Sequence, residues 1–173
     1  LGDVYKRQHY RHSDGLFYST NSGGSWVTTM LDNGSAYLGY YSDIEVDSNN
    51  DPHVVYKASG ALNYTYLSNG VCSAPTTLDT LAHAGPKMVI DSNDKIHVVS
   101  LLKSVTQSIG FANYTTNAGG SWTTETITQG QVLPDTADIA LDSTDKVYIA
   151  LITGSGSSQV HKQLRLSLIH ISE

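Results

Sequence analysis

Apolar residues in this chain fall into short β-branched and aromatic runs, each closed by Asp, Asn, Ser or Gly. The pattern is plainest from Lys87 to Thr128. Lys87-Met-Val-Ile is followed by Asp91-Ser-Asn-Asp, whose residue types tolerate left-handed backbone, and then by Lys95-Ile-His-Val-Val-Ser-Leu-Leu. Ser108-Ile-Gly-Phe-Ala-Asn-Tyr-Thr forms a third run, Asn117-Ala-Gly-Gly turns the chain, and Trp122-Thr-Thr-Glu-Thr-Ile-Thr forms a fourth. These runs predict four antiparallel strands. The preceding stretch repeats the design with strands near 42–47, 52–58, 61–67 and 74–80. No segment keeps a 3.6-residue apolar period over the ten or so residues a helix needs, so essentially no helix is expected.

The unit recurs. Tyr18, Tyr66 and Tyr114 stand 48 residues apart, as do Asn21, Asn69 and Asn117. Asp47-Ser-Asn-Asn-Asp-Pro-His53, Asp91-Ser-Asn-Asp-Lys-Ile-His97 and Asp142-Ser-Thr-Asp-Lys-Val-Tyr148 form a second series. A repeat of about 40–50 residues built from short strands predicts propeller blades. The expected fold class is all-β: an incomplete β-propeller of about three four-stranded antiparallel blades. Its parts are a partial blade at 9–31, blades at 42–80 and 87–128, and a partial blade at 137–165. About three blades cannot close a ring of four to eight, so the remaining blades of the parent protein are the first expected partner.

Residues 1–8 and 166–173 read as translations of the two strands of one DNA segment, which resembles a sequencing adaptor. Both ends are therefore expected to be adaptor-derived and are set aside from the fold.

Ser19-Thr-Asn21-Ser-Gly23-Gly-Ser25-Trp26 and Thr115-Thr-Asn117-Ala-Gly119-Gly-Ser121-Trp122 resemble the Asp-box of BNR repeats, found in sialidases and other propellers. Both keep the pattern Ser/Thr, any, Asp, any, Gly, any, Ser/Thr, Trp/Phe, with Asn in place of Asp. The stretch Ser68-Asn-Gly-Val-Cys-Ser73-Ala74 reads as a degenerate third copy. The resemblance implies a structural role: the Asn bonds backbone amides of the turn, the Gly adopts positive φ, and the Trp folds back on its blade. In that family the boxes lie away from the active site, so they imply blade identity and no catalysis.

Composition narrows the partners. The chain carries a net charge of −6, and outside the end segments its 8 Lys and Arg are scattered singly, which disfavours a nucleic-acid surface. No apolar run approaches the ~20 residues of a membrane helix. Charged residues make up 15%, against about 25% for an average domain, and Thr, Ser, Asn, Gly and Tyr abound, a profile common in exported or cell-surface proteins. A single cysteine, Cys72, excludes an internal disulfide and reads as an inert thiol. Asn33, Asn63 and Asn113 open glycosylation-type triplets that chance explains in so Ser/Thr-rich a chain.

Candidate chemistry is sparse. His53, His97 and Tyr148 share one repeat position and could line matching sugar sites on successive blades; as readily, they hydrogen-bond the next blade. No cofactor and no metal site is expected, because histidines on successive blades stand too far apart for one zinc and the Asp47–Asp51 turn lacks the glycine and distal Glu of a calcium loop. A sialidase would need an arginine cluster for the substrate carboxylate, whereas Arg11 and Arg165 are the only arginines outside the end segments. Glu45 and Glu125 form no acid–base pair that can be named. The sequence therefore points to a non-catalytic propeller module, secreted or at the cell surface, that binds glycan or protein or acts as a spacer. The alternative is a piece of a sialidase-like glycoside hydrolase whose catalytic residues lie elsewhere.

Overall fold

A computed structural model describes residues 6–11, 15–33, 41–80, 83–104, 109–130, 133–154 and 163–168. Fifteen antiparallel strands form four sheets, and no helix occurs among the described residues. The first sheet holds β1 (Lys6–Arg11), β2 (Gly15–Thr20) and β3 (Val27–Asp32) in that order. The second holds β4 (Ser42–Val46), β5 (Pro52–Ala58) and β6 (Ala61–Ser68), with β7 (Val71–Cys72) and β8 (Thr76–Asp79) both pairing with β6. The third runs β9 (His83–Ile90), β10 (Ile96–Ser104), β11 (Ile109–Thr116), β12 (Thr123–Gly130). The fourth holds β13 (Leu133–Leu141), β14 (Val147–Gly154) and β15 (Gln163–Leu168).

Strand bounds agree with the alternation to within a few residues except at the two outer sheets. There β1 and β15 take in residues 6–8 and 166–168, which the sequence reading assigned to the end segments. The rims of β2 and β14 that face away from β3 and β13 offer rows of N–H and C=O groups, which β1 and β15 satisfy.

Each sheet uses both faces. In the central sheets, alternate residues of one strand pack on the sheet before and the sheet after. Val54 and Tyr56 join Leu16, Tyr18 and Leu31 of the first sheet, while Val55 joins Met88, Ile96 and Val98 of the third. Val99 and Leu101 in turn meet Ile139, Val147, Ile149 and Leu151 of the fourth. Three apolar seams thus alternate with four sheets. Every Val, Ile or Leu fully buried in a seam contributes roughly 1.5–3 kcal/mol.

The hairpins joining the first two strands of each repeat share one geometry. Asp91 Oδ1 accepts the backbone N–H groups of Asn93 and Lys95, both at 2.8 Å, and Asp94 takes left-handed backbone at φ 57°. Asp47 and Asp142 do the same for their own turns, with Asn50 and Asp145 left-handed at 66° and 62°. Asx capping followed by a left-handed residue is a three-residue hairpin loop, and no calcium coordination is required to hold it.

These loops also grip one another across the seams. Asp94 accepts from Ser48 N (2.8 Å) and Ser48 Oγ (2.6 Å) of the preceding sheet, and Asp145 accepts from Ser92 N (3.1 Å) and Ser92 Oγ. Asp43 of β4 adds a further tie, accepting from Met88 N at 2.9 Å and Lys87 Nζ at 3.2 Å.

Candidate functional site

The two box turns share a local fold. In the first, Gly24 N donates to Asn21 O at 2.8 Å, Ser22 N to Thr20 Oγ1 at 3.3 Å, and Ser19 Oγ meets Thr28 Oγ1 at 2.8 Å. In the second, Gly120 N donates to Asn117 O at 2.9 Å, Ala118 N to Thr116 Oγ1 at 3.1 Å, and Thr115 Oγ1 meets Thr124 Oγ1 at 2.9 Å. Three details differ from the sequence reading. Positive φ falls on Gly24 (87°) and Gly120 (85°), one residue past Gly23 and Gly119, because the Asn-led turn closes on the second glycine. The Asn117 carboxamide accepts from Ile96 N of β10 at 2.8 Å, so it ties the turn to its own sheet instead of capping the turn's amides. Ser25 and Ser121 are exposed on the turns.

Trp122 provides the third difference. Its ring meets Tyr64 of the second sheet edge-on at 5.1 Å and packs in the seam between the second and third sheets. The Trp therefore covers the neighbouring sheet, whereas Trp26 is 54% exposed. The middle segment is no box at all. Asn69 and Gly70, at φ 50° and 78°, form a two-residue hairpin between β6 and β7, the turn type that Asn-Gly favours.

His53, His97 and Tyr148 all reach back to the aspartate of their hairpin. His97 Nε2 lies 3.2 Å from Asp91 Oδ2, and Nδ1 lies 2.6 Å from Tyr114 Oη and 3.4 Å from Thr116 Oγ1. A carboxylate only accepts, so Nε2 carries the hydrogen, leaving Nδ1 to accept the tyrosine O–H. His53 repeats the arrangement with Tyr64 Oη at 2.6 Å, but its Nε2 stands 3.4 Å from Asp47 Oδ2, off a hydrogen-bonding axis. Tyr148 Oη donates to Asp142 Oδ2 at 3.1 Å. The three residues do not converge, each lying in its own sheet, and His97 at 3% exposure and His53 at 9% present little to solvent.

Electrostatics agree with structural, protonated tyrosines. Burial pushes the Tyr114 phenol up to about 12, with Glu125 and Asp91 adding to the rise against a hydrogen bond from Thr116. Burial likewise raises Tyr64, helped by Tyr66 and Asp47. Neither phenol is set up as a nucleophile at neutral pH. Asp142 is held down to about 2, first by the Thr144 hydroxyl and then by the backbone N–H groups of Thr144 and Lys146.

One aromatic next to this network is accessible. Tyr66 is 39% exposed, stacks on His53 at 5.6 Å with an 18° interplanar angle, and donates its backbone N–H to Ser73 Oγ at 3.1 Å. The sequence marked Tyr66 only as a repeat tyrosine. In space the equivalent of Tyr114 is Tyr64, the partner of His53, and Tyr66 is displaced one pleat outward, opposite His53 in the ladder. Its ring plane is fixed by His53, itself held by Tyr64. Asn63 and Asn113 are buried and bonded to Thr77 and Thr126 across their sheets, which makes them poor glycosylation acceptors in the folded chain. Cys72 Sγ donates to Leu31 O at 3.3 Å, joining the first and second sheets. Glu45 and Glu125 are both exposed, and among the described residues no group of three His, Cys, Asp or Glu is placed to hold a metal ion.

Solved structures carry the same arrangement of sheets. The chain superposes on the intramolecular trans-sialidase of Ruminococcus gnavus with a TM-score of 0.59 at 11% identity, over 89% of this chain and 37% of that one. It matches AofleA of Arthrobotrys oligospora with a TM-score of 0.58 at 13% identity, over 99% of this chain and 55% of that one. An endo-arabinase of Bacteroides thetaiotaomicron gives 0.51 at 12% identity, over 97% and 75%. The chain thus spans little more than a third of the trans-sialidase it resembles. No protein-family model matches the sequence, and no curated protein resembles it. The fold is all-β, an incomplete β-propeller.

Proposed function

We propose that this chain is a non-catalytic, carbohydrate-recognising portion of a secreted or cell-surface β-propeller whose ring is completed by further blades. The observation that carries the reading is Tyr66. An accessible ring held flat by a buried His–Tyr pair offers a rigid apolar platform for a sugar face, with little entropy lost on binding. Similarity to two proteins named for carbohydrate chemistry, a trans-sialidase and an endo-arabinase, supports the same substrate class. In this reading His53, His97 and Tyr148 act behind the platform as supports, and the box residues anchor blades. A glycan array probed with the chain and with Tyr66→Ala tests it. Binding lost in the variant is the expected result; undiminished binding, or none by either protein, counts against the proposal.

The likeness to the trans-sialidase favours a second reading, in which the chain is part of a glycoside hydrolase with its catalytic residues outside this piece. Turnover of a fluorogenic sialoside by the chain itself would contradict both readings, since neither places the catalytic groups here.

A further inference from the structure

Tyr66 is open because its sheet lacks a box. Register sets Tyr66 opposite His53 in the second sheet and Thr116 opposite His97 in the third. Thr116 Oγ1 accepts from Ala118 N and so belongs to its box turn, as Thr20 does in the first sheet by accepting from Ser22 N. In the second sheet the Asn69-Gly70 hairpin replaces that turn, and the threonine's position holds an exposed tyrosine. Alternation sets Tyr66 and His53 on the same face as Tyr64 and Val55, the face that meets the third sheet. That seam is closed by Val55, Leu62 and Val98, so the ring lies open beside a packed border between two neighbouring sheets of this chain.

The surroundings of the ring are acidic. Glu45 pairs with His53 and His53 with Tyr66, so the three form one cross-strand row on that face. Two strand spacings put Glu45 about 9.5 Å from Tyr66 along the row. Asp47 Oδ2 lies 3.4 Å from Nε2 of the histidine on which Tyr66 stacks. Burial works against the Asp47 charge, but the Asp51 N–H, His53 and Asn49 outweigh it and hold the carboxyl below its ordinary value, so it is ionised at neutral pH. The hairpins 47–51 and 91–95 on either side of the seam carry four aspartates and one cation, Lys95. Of the other cations, Lys57 stands four residues along β5 from His53, about 13 Å away, and Lys87 is engaged by Asp43. Neither sheet contains an arginine.

We propose that the Tyr66 site takes an uncharged sugar and refuses one that carries a carboxylate. The inference rests on the reading of Tyr66 as a sugar platform and adds the chemical class of its ligand. A sugar stacked on the ring meets it through C–H groups, which any pyranose or furanose supplies without charge. A terminal sialic or uronic acid brings an anion within about one Debye length of Glu45 and Asp47, with no guanidinium in either sheet to receive it.

A glycan array printed with pairs that differ only by a terminal sialic or uronic acid tests it, probed with the chain, with Glu45→Gln and with Tyr66→Ala. Two like charges at this range predict that in low salt the uncharged member of a pair binds about tenfold more strongly than the acidic one. The gap should narrow in 1 M NaCl, where the screening length falls to about 3 Å, and E45Q should raise the acidic signal. Equal binding of the two members, or preference for the acidic one, overturns the proposal; if Y66A abolishes that binding, the platform itself stands. A gap untouched by both salt and E45Q shows refusal by shape and overturns the proposal as well. No binding of any glycan by the parent chain defeats the Tyr66 reading and this inference with it.

Discussion

Removing the Asp91 carboxylate should cost about 3 kcal/mol, more than any other single hairpin change. The group accepts the Asn93 and Lys95 N–H groups through Oδ1 and faces the buried His97 Nε2–H through Oδ2. Each turn hydrogen bond is worth about 0.5–1.5 kcal/mol net, and a buried N–H left without an acceptor costs roughly 1–3 kcal/mol. For a chain of this length, about 3 kcal/mol corresponds to a fall in Tm of roughly 6–12 °C. Asp91→Asn keeps an acceptor for the turn and obliges His97 to swap tautomer, so about 1 kcal/mol is expected. Asp47→Ala should cost less than Asp91→Ala, since His53 Nε2 is not aligned on its aspartate to begin with. Urea titration followed by far-ultraviolet circular dichroism measures all three. If Asp91→Ala and Asp91→Asn were equally destabilising, the acceptor that Asn retains for the turn would carry no weight and the reasoning would fail.

Three further outcomes follow from the same geometry. Trp122→Ala should cost about 2 kcal/mol, a partly buried indole with an edge-on Tyr64 contact, whereas Trp26→Ala should stay within ~0.5 kcal/mol; equal urea midpoints for the two would refute the seam assignment. Gly120→Ala, at φ 85°, should lose about 1 kcal/mol, while Gly119→Ala, with open space around it and no positive φ, should be close to neutral by the same titration. The folded-state carboxyl of Asp142 sits below its ordinary value of 3.8, at about 2, so its contribution is present above pH ~4 and is lost as pH falls towards 2. In an acid titration, the parent should therefore lose its margin over Asp142→Asn across that window, and a constant margin would contradict it.

Sheet content was legible because period-2 alternation and Asp, Asn and Gly punctuation are local properties, and four hairpin-linked strands per repeat followed from them. The residues linking sheets were less legible. Tyr66 fell on the sequence period, yet Tyr64 fills the Tyr114 position, because loops of unequal length shift the strands between repeats. The Asn69-Gly70 hairpin was hidden by its likeness to a box, although Asn-Gly is itself a strong two-residue turn signal. The inward reach of His53 and His97 could have been anticipated from the aspartate six positions earlier, since a hairpin brings those side chains together. Which sheet a box tryptophan covers depends on a neighbour distant along the chain, and periodicity alone does not show it.

The serine–carboxylate grip between hairpins has a polarity. In both grips, Ser48 to Asp94 and Ser92 to Asp145, the serine at the second position of one loop donates to the fourth residue of the next loop along. Damage at Ser92 is thus transmitted forward and damage at Asp94 backward, so substitutions three atoms in size at neighbouring sites of one loop injure opposite borders. In related chains those two positions should drift in partnership with distant loops and not with each other.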